Sequence, residues 1–223
     1  MIRIQTNIVA KTERAVLTSL CQVMPRWVSP DRLTLLGLAG GAIVLAGYAL
    51  SNRSPQFLWL AIFGYFVHWF GDSMDGSLAR YRRVERPRYG YFLDHSVDAL
   101  ANMLIAVGLG LSAWIRMDTA LFAFIGYLLL SIYVFLKRQV LDELQLAFLA
   151  LGPTEIRVIL VVLTLLMPWL GAIRFTVRGI ALTACDGVMI FGGFAFAAIF
   201  IGSVIATAAK LRREEILPPR PGG

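Results

Sequence analysis

Six long apolar segments restrict the fold of this chain more than any other feature of its sequence. Each is long enough to cross the ~30 Å hydrocarbon core of a bilayer as an α-helix. Within lipid, a helix satisfies its backbone hydrogen bonds internally. With 58% hydrophobic residues and a mean hydropathy of +0.70, the composition also excludes an ordinary soluble domain. We therefore predict an all-α integral membrane protein with six transmembrane helices, at about residues 33–51, 57–78, 90–112, 118–136, 156–173 and 181–208.

Basic residues are unevenly distributed between the loops that join these segments. Of the 21 lysines and arginines, the loops on one side contain only Arg53, Arg116, Arg174 and Arg178. Because loops rich in lysine and arginine stay in the cytoplasm, both termini and the acidic motif described below are predicted to face it, from a cytoplasmic (inner) membrane. The net charge of +7 indicates attraction to anionic membrane lipids and requires no nucleic-acid partner.

The two ends of the chain are predicted to differ from the apolar segments. Residues 1–28 lack the unbroken apolar stretch of a signal peptide. Their apolar residues recur at helical spacing, which predicts an amphipathic helix lying on the cytoplasmic leaflet. These positions are Ile4, Ile8, Val9, Val16, Leu20, Val23 and Met24. We expect residues 1–215 to form a single membrane domain and the tail at 216–223 to be disordered.

Four aspartates occupy the cytoplasmic ends of the second and third predicted helices. At ~100° per residue, Asp72 and Asp75 share one helix face, and Asp94 and Asp98 share another. An acid at the centre of a span costs about 2.5 to 3.5 kcal/mol, and somewhat less near the interface, so four of them need strong positive compensation. Oxygen-rich sites suit Mg²⁺, Mn²⁺ or Ca²⁺, which usually complete their coordination with substrate phosphates. The motif therefore indicates metal-dependent phosphate chemistry at a membrane surface.

Two glycines on the same helix faces favour a ligand site over a structural charge network. Gly76 and Gly90 remove side chains beside the acids, as the close approach of a bulky ligand to the backbone requires. The alternative, pairing of the aspartates with nearby arginines, explains neither glycine. Those arginines are Arg80, Arg82, Arg83, Arg86 and Arg88. One turn before Asp72, His68 is expected to bond a neighbouring helix or to support the Asp72 carboxylate.

Residues 72–98 read Asp-x2-Asp-Gly-x2-Ala-Arg and then Gly-x3-Asp-x3-Asp. This pattern resembles the signature of the CDP-alcohol phosphotransferase (CDP-alcohol phosphatidyltransferase) family, and the six-span layout extends the resemblance over most of the chain. The spacer between Arg80 and Gly90 is slightly longer than the family pattern, a difference that a loop tolerates easily. The resemblance implies transfer of a substituted phosphate from a CDP-linked donor to an alcohol or lipid acceptor, with release of CMP, in phospholipid synthesis. It leaves open CDP-diacylglycerol or a CDP-alcohol such as CDP-choline or CDP-ethanolamine as donor.

The resemblance also implies roles for individual residues. Asp72, Asp75 and Asp94 would bind metal as part of a site for two Mg²⁺ or Mn²⁺ ions. Asp98 would lie at the second ion and act as the base for the acceptor's hydroxyl proton. The implied nucleotide contacts are Thr34, Asp72, Gly76, Ala79, Arg80 and Gly90. No organic cofactor is implied, and the protein is expected to be a homodimer.

Two further roles remain open at this site. Family members that use CDP-choline or CDP-ethanolamine can also carry Asp-His at Asp94-His95, together with a glutamate near a later helix start. His95 and Glu155 could then act as a base and its orienting partner, or could simply bond a neighbouring helix and stabilise a first helical turn. A phosphorylated acceptor could bind basic residues at cytoplasmic helix ends, which the positive-inside bias predicts equally well. They are Lys137, Arg138 and Arg157.

Two other classes of membrane protein also use intramembrane carboxylates. A UbiA-like prenyltransferase binds a magnesium diphosphate through aspartate motifs, but resembles a longer bundle of about nine spans with motifs on two separated loops. An ion transporter would place its carboxylates near mid-membrane and would not need Gly76, Ala79 and Arg80 in fixed register. We therefore expect a transferase and keep these two classes as alternatives.

Overall fold

The computed structural model describes residues 8–141 and 152–215 of the chain. These ranges are mostly helical and include a short 3₁₀ turn at Pro55–Phe57. Two strands form an antiparallel hairpin, β1 at Arg174–Val177 and β2 at Ile180–Thr183. The α-helices are α1 at Ile8–Val23, α2 at Pro30–Leu50, α3 at Leu58–Arg82, α4 at Pro87–Leu111, α5 at Met117–Leu141, α6 at Pro153–Leu170 and α7 at Ala184–Glu215.

The predicted all-α membrane architecture is confirmed, whereas the count of six spans is not established. Within the described ranges, five helices are long and apolar enough to cross a membrane, namely α2, α4, α5, α6 and α7. The 25-residue α3 falls outside this group because His68, Asp72 and Asp75 interrupt its apolar sequence. The same residues that suggest a site therefore make α3 the least apolar of the predicted spans.

Prolines and a left-handed residue define the helix ends around the acidic motif. Pro30, Pro87 and Pro153 each stand in the first turn of a helix, where the missing N–H of proline costs nothing. Arg83 ends α3 in the left-handed region, with φ of 56°. Val84 N–H then donates to the Ala79 carbonyl, which closes the helix C terminus. The end of α3 is thus joined to the start of α4 by a short connection, and we call this side of the bundle the acidic end.

Glycines allow α2 and α3 to pack with their backbones in contact. A Cβ on Gly71 would lie 2.3 Å from the backbone nitrogen of Gly37, and one on Gly40 would lie 2.3 Å from that of His68. A Cβ on Gly47 would lie 2.4 Å from the nitrogen of Ala61. Small residues at such positions let membrane helices approach closely, which increases van der Waals contact where lipid offers no hydrophobic driving force. The glycines therefore fix the position of α2 along α3.

The amphipathic N-terminal segment forms α1, which packs against α3. Leu17 and Cys21 are buried with Met74 and Leu78 of α3, whereas Val16 and Val23 are exposed. One face of α1 therefore contacts the protein, and part of its predicted apolar face points away from it. Residues 1–7 of the predicted segment, and the predicted disordered tail at 216–223, lie outside the described residues.

The hairpin and Asp186 organise the end of the bundle opposite the acidic end. Arg178 and Gly179 form the two-residue turn between the strands, and both have positive φ. The predicted sixth span began at residue 181, but β2 continues to Thr183, so α7 begins at Ala184. Asp186 is 1% exposed and accepts hydrogen bonds from the backbone of Arg116 and Thr183. Hydrogen bonds to the buried Asp186 carboxylate therefore link the end of β2 to the residue before α5.

We expect Gly71→Ala to destabilise the protein by about 1 to 3 kcal/mol, because the added methyl group would overlap the α2 backbone. Gly202→Ala in α7 is the matched control, since a Cβ there meets no atom within 4 Å. The control should be neutral or slightly stabilising. Unfolding in detergent, followed by circular dichroism, measures the difference, and equal effects of the two substitutions would contradict the proposed close packing.

Candidate functional site

The structure brings the four predicted aspartates together at the acidic end. Carboxylate oxygens of Asp94 and Asp98 and a ring nitrogen of His95 all lie within 4.8 Å of one another. Asp98 also interacts electrostatically with Asp72 and Asp75 across the interface with α3. The two acidic helix faces predicted from the sequence therefore face each other, close enough for the carboxylates to interact electrostatically, and we call the four aspartates the acidic cluster.

Asp75 is held in place by two hydrogen bonds. Thr34 Oγ1 donates to Asp75 Oδ2 at 2.6 Å, and the Gly76 backbone N–H donates to Asp75 Oδ1. Asp75 is 7% exposed, so few other orientations are open to it. Thr34, which the resemblance implies as a nucleotide contact, therefore bonds a carboxylate of the cluster in the structure.

A cavity of about 220 Å³ opens beside Asp75 and Asp94. Gly90 contributes open space, since a Cβ there would meet nothing within 4 Å. At Gly76, a Cβ would lie 3.2 Å from the Arg80 guanidinium. Every residue predicted to contact nucleotide except Asp72 lines this cavity, together with residues of the α3–α4 connection. The lining includes Thr34, Asp75, Gly76, Ala79, Arg80, Arg86, Gly90, Tyr91 and Asp94.

The arginines of the α3–α4 region have partners outside the cluster. Arg82 donates to the backbone carbonyls of Met24 and Pro25, which anchors the segment between α1 and α2. Arg86 donates to Asp31, and this hydrogen bond raises the pKa of the Arg86 guanidinium. These contacts account for two of the five arginines without involving the four aspartates. The alternative of a charge network made by this region is therefore not favoured.

Asp72 has a different partner, which the sequence did not suggest. Arg157 of α6 donates from Nη2 to Asp72 Oδ2 at 2.5 Å, and the two side chains are 10% and 18% exposed. Arg157 also interacts electrostatically with Asp98. It was predicted as an acceptor-binding residue at a helix end, but its guanidinium lies against the acidic cluster. Only its position in the first turns of a helix was evident from the sequence.

His95 and Glu155 have distinct surroundings in the structure. His95 Nδ1 lies 3.4 Å from Asp94 Oδ2, and its ring packs against Tyr91 and Phe135. Glu155 accepts a hydrogen bond from the Gly152 N–H at 2.8 Å and so caps the start of α6. This contact supports the interpretation that Glu155 stabilises the first turn of a helix. The alternative role of Glu155 as a partner of His95 stays a prediction.

A second, larger cavity of about 750 Å³ lies beside His95, between α4 and α5. Arg138, predicted to bind the acceptor, lies at this cavity, with its guanidinium 3.9 Å from the centre of the Tyr91 ring. Tyr91 lines both cavities, whereas His95 lines only the second, wider one.

Comparison with known proteins assigns the chain to a family. A sequence model described as CDP-alcohol phosphatidyltransferase matches residues 27–207, which cover α2 to α7 up to residue 207. The chain belongs to the CDP-alcohol phosphatidyltransferase family. This confirms the resemblance based on residues 72–98, and it favours a transferase over a UbiA-like prenyltransferase or an ion transporter.

Curated relatives include both eukaryotic and prokaryotic members. Cholinephosphotransferase 1 of Homo sapiens is 29% identical over 161 residues, covering 70% of this chain and 39% of that protein. Phosphatidylinositol phosphate synthase of Streptomyces avermitilis is 39% identical over 87 residues, covering 39% of this chain and 33% of the relative. Archaetidylinositol phosphate synthase of Pyrococcus horikoshii is 29% identical over 104 residues, covering 47% and 52%. The matched regions thus span about half or less of these relatives.

The acidic cluster fits the divalent metal ions on which this family generally depends. Clustered carboxylate oxygens are hard ligands of the kind that Mg²⁺ and Mn²⁺ prefer. Asp94 and Asp98 lie within reach of a shared ion, and Asp75 lines the same cavity as Asp94. The described residues therefore provide oxygen donors for a divalent ion at the acidic end.

Thr34→Val should weaken Mn²⁺ binding by about 10-fold or more, because partners that orient a metal-binding carboxylate typically matter at that level. Thr119→Val is a matched control, since the Thr119 hydroxyl donates to buried Asp186 at 2.7 Å at the opposite end. Both variants lose a hydrogen bond to a buried carboxylate, but the control should retain Mn²⁺ affinity. Isothermal titration calorimetry on purified protein decides this, and an unchanged affinity in Thr34→Val would contradict the assigned role.

Proposed function

We propose that the protein is a phospholipid-synthesising CDP-alcohol phosphotransferase. It would transfer a substituted phosphate from a CDP-linked donor to an acceptor hydroxyl and release CMP. The observation that carries this proposal is the meeting of four aspartates beside a cavity lined by Gly76, Ala79 and Gly90, in a chain of this family. These residues have no side chain or only a methyl group, so a diphosphate can approach the helix backbone closely there.

We propose that Asp72, Asp75, Asp94 and Asp98 hold two divalent ions, Mg²⁺ or Mn²⁺. When bound, such ions neutralise charge on the transferred phosphate and on the leaving CMP. The aspartates would hold these ions against the diphosphate, and Arg80, which lines the cavity, would donate charge-assisted hydrogen bonds to phosphate. Residues of α3 and α4 would thereby keep the donor diphosphate in the cavity.

We assign the proton transfer to Asp98, which is near the other three aspartates. The acceptor oxygen forms a bond to the donor phosphorus, the bond from phosphorus to the CMP oxygen breaks, and the hydroxyl proton passes to the Asp98 carboxylate. His95 is the second candidate, because it lies beside Asp94 and faces the second cavity. In that alternative, Glu155 would orient His95 after leaving its contact with Gly152.

The acceptor is proposed to approach from the side of α5 and α6. Arg138 lines the cavity next to His95, and Arg157 reaches the aspartate cluster. With Lys137 on the same turn of α5, they form the basic group proposed to bind an anionic acceptor. The names of the relatives include both a cholinephosphotransferase and phosphatidylinositol phosphate synthases, so two donor classes are proposed. These are a CDP-alcohol with a diacylglycerol acceptor, and CDP-diacylglycerol with a polar alcohol acceptor.

We further propose how the protein is placed and assembled. The helix α3 would also cross the membrane and bring the number of spans to six, because it packs along α2 over most of its length. The acidic end and both termini would face the cytoplasm, where CDP-linked donors are available. Residues 1–215 would form a single domain, and two copies would form a homodimer. Membrane lipids would surround the exposed apolar side chains of α5, α6 and α7.

Purified protein should release CMP only when a suitable donor, an acceptor and Mg²⁺ or Mn²⁺ are all present. One arm supplies CDP-choline or CDP-ethanolamine with diacylglycerol, and the other supplies CDP-diacylglycerol with inositol phosphate, glycerol phosphate or serine. Mass spectrometry of the lipid product identifies the donor class. No CMP release with any pair, from protein that is folded by circular dichroism, would argue strongly against the proposed function.

The same assay separates the two candidate bases. Asp98→Asn should retain nucleotide binding while turnover falls by about 10²- to 10⁴-fold, the typical contribution of a general base. His95→Ala should then retain most of the activity. The opposite result, with large loss of turnover in His95→Ala alone, would assign the base to His95.

A further inference from the structure

In the ion pair between Arg157 and Asp72, the guanidinium occupies a carboxylate oxygen that a metal ion could otherwise bind. The guanidinium Nη2 lies 2.5 Å from Asp72 Oδ2, and both side chains are largely buried. Asp98 adds a second electrostatic interaction with the same guanidinium. A fixed positive charge therefore partly neutralises the acidic cluster in the structure.

A metal ion that coordinates Asp72 through Oδ2 competes with the Arg157 guanidinium for that oxygen. Hard cations bind carboxylate oxygens directly at short distances, so an Arg157 that keeps its hydrogen bond to Oδ2 takes part of the coordination of Asp72. When a ligand must displace a group already bound, its apparent affinity is lowered. The apparent affinity equals the intrinsic affinity multiplied by the fraction of protein in which the site is free. The two states of Asp72 are therefore exclusive at that oxygen.

We propose that Arg157 is a built-in counter-ion that occupies Asp72 when no divalent cation is bound and is displaced when one binds. The inference rests on the proposed function, because it takes Asp72 to be a metal ligand. In the cation-free protein, Arg157 would stabilise the buried carboxylate, whose charge would otherwise lack compensation. Cation binding would then require Arg157 to leave Asp72 for another partner, so the two events would be coupled.

His68 provides a place for the displaced guanidinium. His68 is 1% exposed, and its Nδ1 lies 3.0 Å from the Gly37 carbonyl oxygen, which can only accept a hydrogen bond. Nδ1 therefore carries the proton, and Nε2 presents a lone pair. Within the described residues, His68 Nε2 has no hydrogen-bond partner, while His68 interacts electrostatically with both Arg157 and Asp72. A guanidinium that leaves Asp72 could donate to this nitrogen without leaving the protein interior.

The test compares Mn²⁺ binding to substrate-free protein and to Arg157→Gln. Because the variant lacks the competing guanidinium, it should bind Mn²⁺ about 10-fold tighter, as measured by the electron paramagnetic resonance signal of free Mn²⁺. Arg83→Gln is the control for the loss of one positive charge, since Arg83 is an exposed residue at the end of α3. The control should shift the affinity by no more than about 2-fold.

A second measurement uses the unaltered protein, so it does not depend on folding of the variant. On addition of Mg²⁺, the ¹⁵N chemical shift of His68 Nε2 should change, because the displaced Arg157 guanidinium then donates a hydrogen bond to this nitrogen. An unchanged His68 shift would overturn the inference, as would Mn²⁺ affinity in Arg157→Gln equal to or weaker than that of the unaltered protein. If no protein bound Mn²⁺, the metal site of the proposed function would fail together with the inference, whereas binding that ignores Arg157 overturns the inference alone.

Discussion

The contact between the backbones of α2 and α3 is the constraint on which the acidic end depends. Gly40, Gly47 and Gly71 allow the two helices to approach until any added Cβ would overlap the partner. This approach brings Thr34 of α2 within hydrogen-bond distance of Asp75 of α3. A wider separation would remove that bond and open the wall of the cavity that α2 shares with α3 and α4. Close helix packing and the position of the site therefore have the same cause.

Electrostatics then determines what the acidic end can hold. Acids in an apolar helix bundle need compensation, and the structure supplies it by several means. Hydrogen bonds orient Asp75, an ion pair with Arg157 compensates Asp72, and Asp94 and Asp98 remain close enough to share an ion. Divalent cations complete this scheme in the proposed function. In that function, the negative charge of the cluster would be compensated partly by Arg157 and partly by bound metal.

The sequence predicted the parts of this arrangement that follow from periodicity along one helix. The shared faces of Asp72 with Asp75 and of Asp94 with Asp98 follow from helical spacing, and the structure brings them together. The lengths of the apolar segments predicted the helices, although polar residues make α3 less hydrophobic than the other predicted spans. Hairpin residues at 180–183 were assigned partly to a helix, because a short apolar strand has no distinctive period in one sequence.

Contacts between distant segments could not be predicted in the same way. The pairing of Arg157 with Asp72 joins residues 85 positions apart, and no local pattern selects that partner among many arginines. Similarly, the close approach at Gly71 depends on which helix packs beside it. Glu155 illustrates the converse, since its cap at Gly152 is local and was among the alternatives considered from the sequence.

The central claim is that the aspartates of α3 and α4 coordinate divalent metal beside a nucleotide cavity. Crystals grown with Mn²⁺ and a CDP-linked donor, measured at the manganese absorption edge, test it most directly. The account predicts anomalous density within coordination distance of carboxylate oxygens from both helices, with the donor diphosphate bound to the same ion. Density elsewhere, or aspartates that remain bound only to protein groups while the diphosphate lies in another cavity, would contradict it.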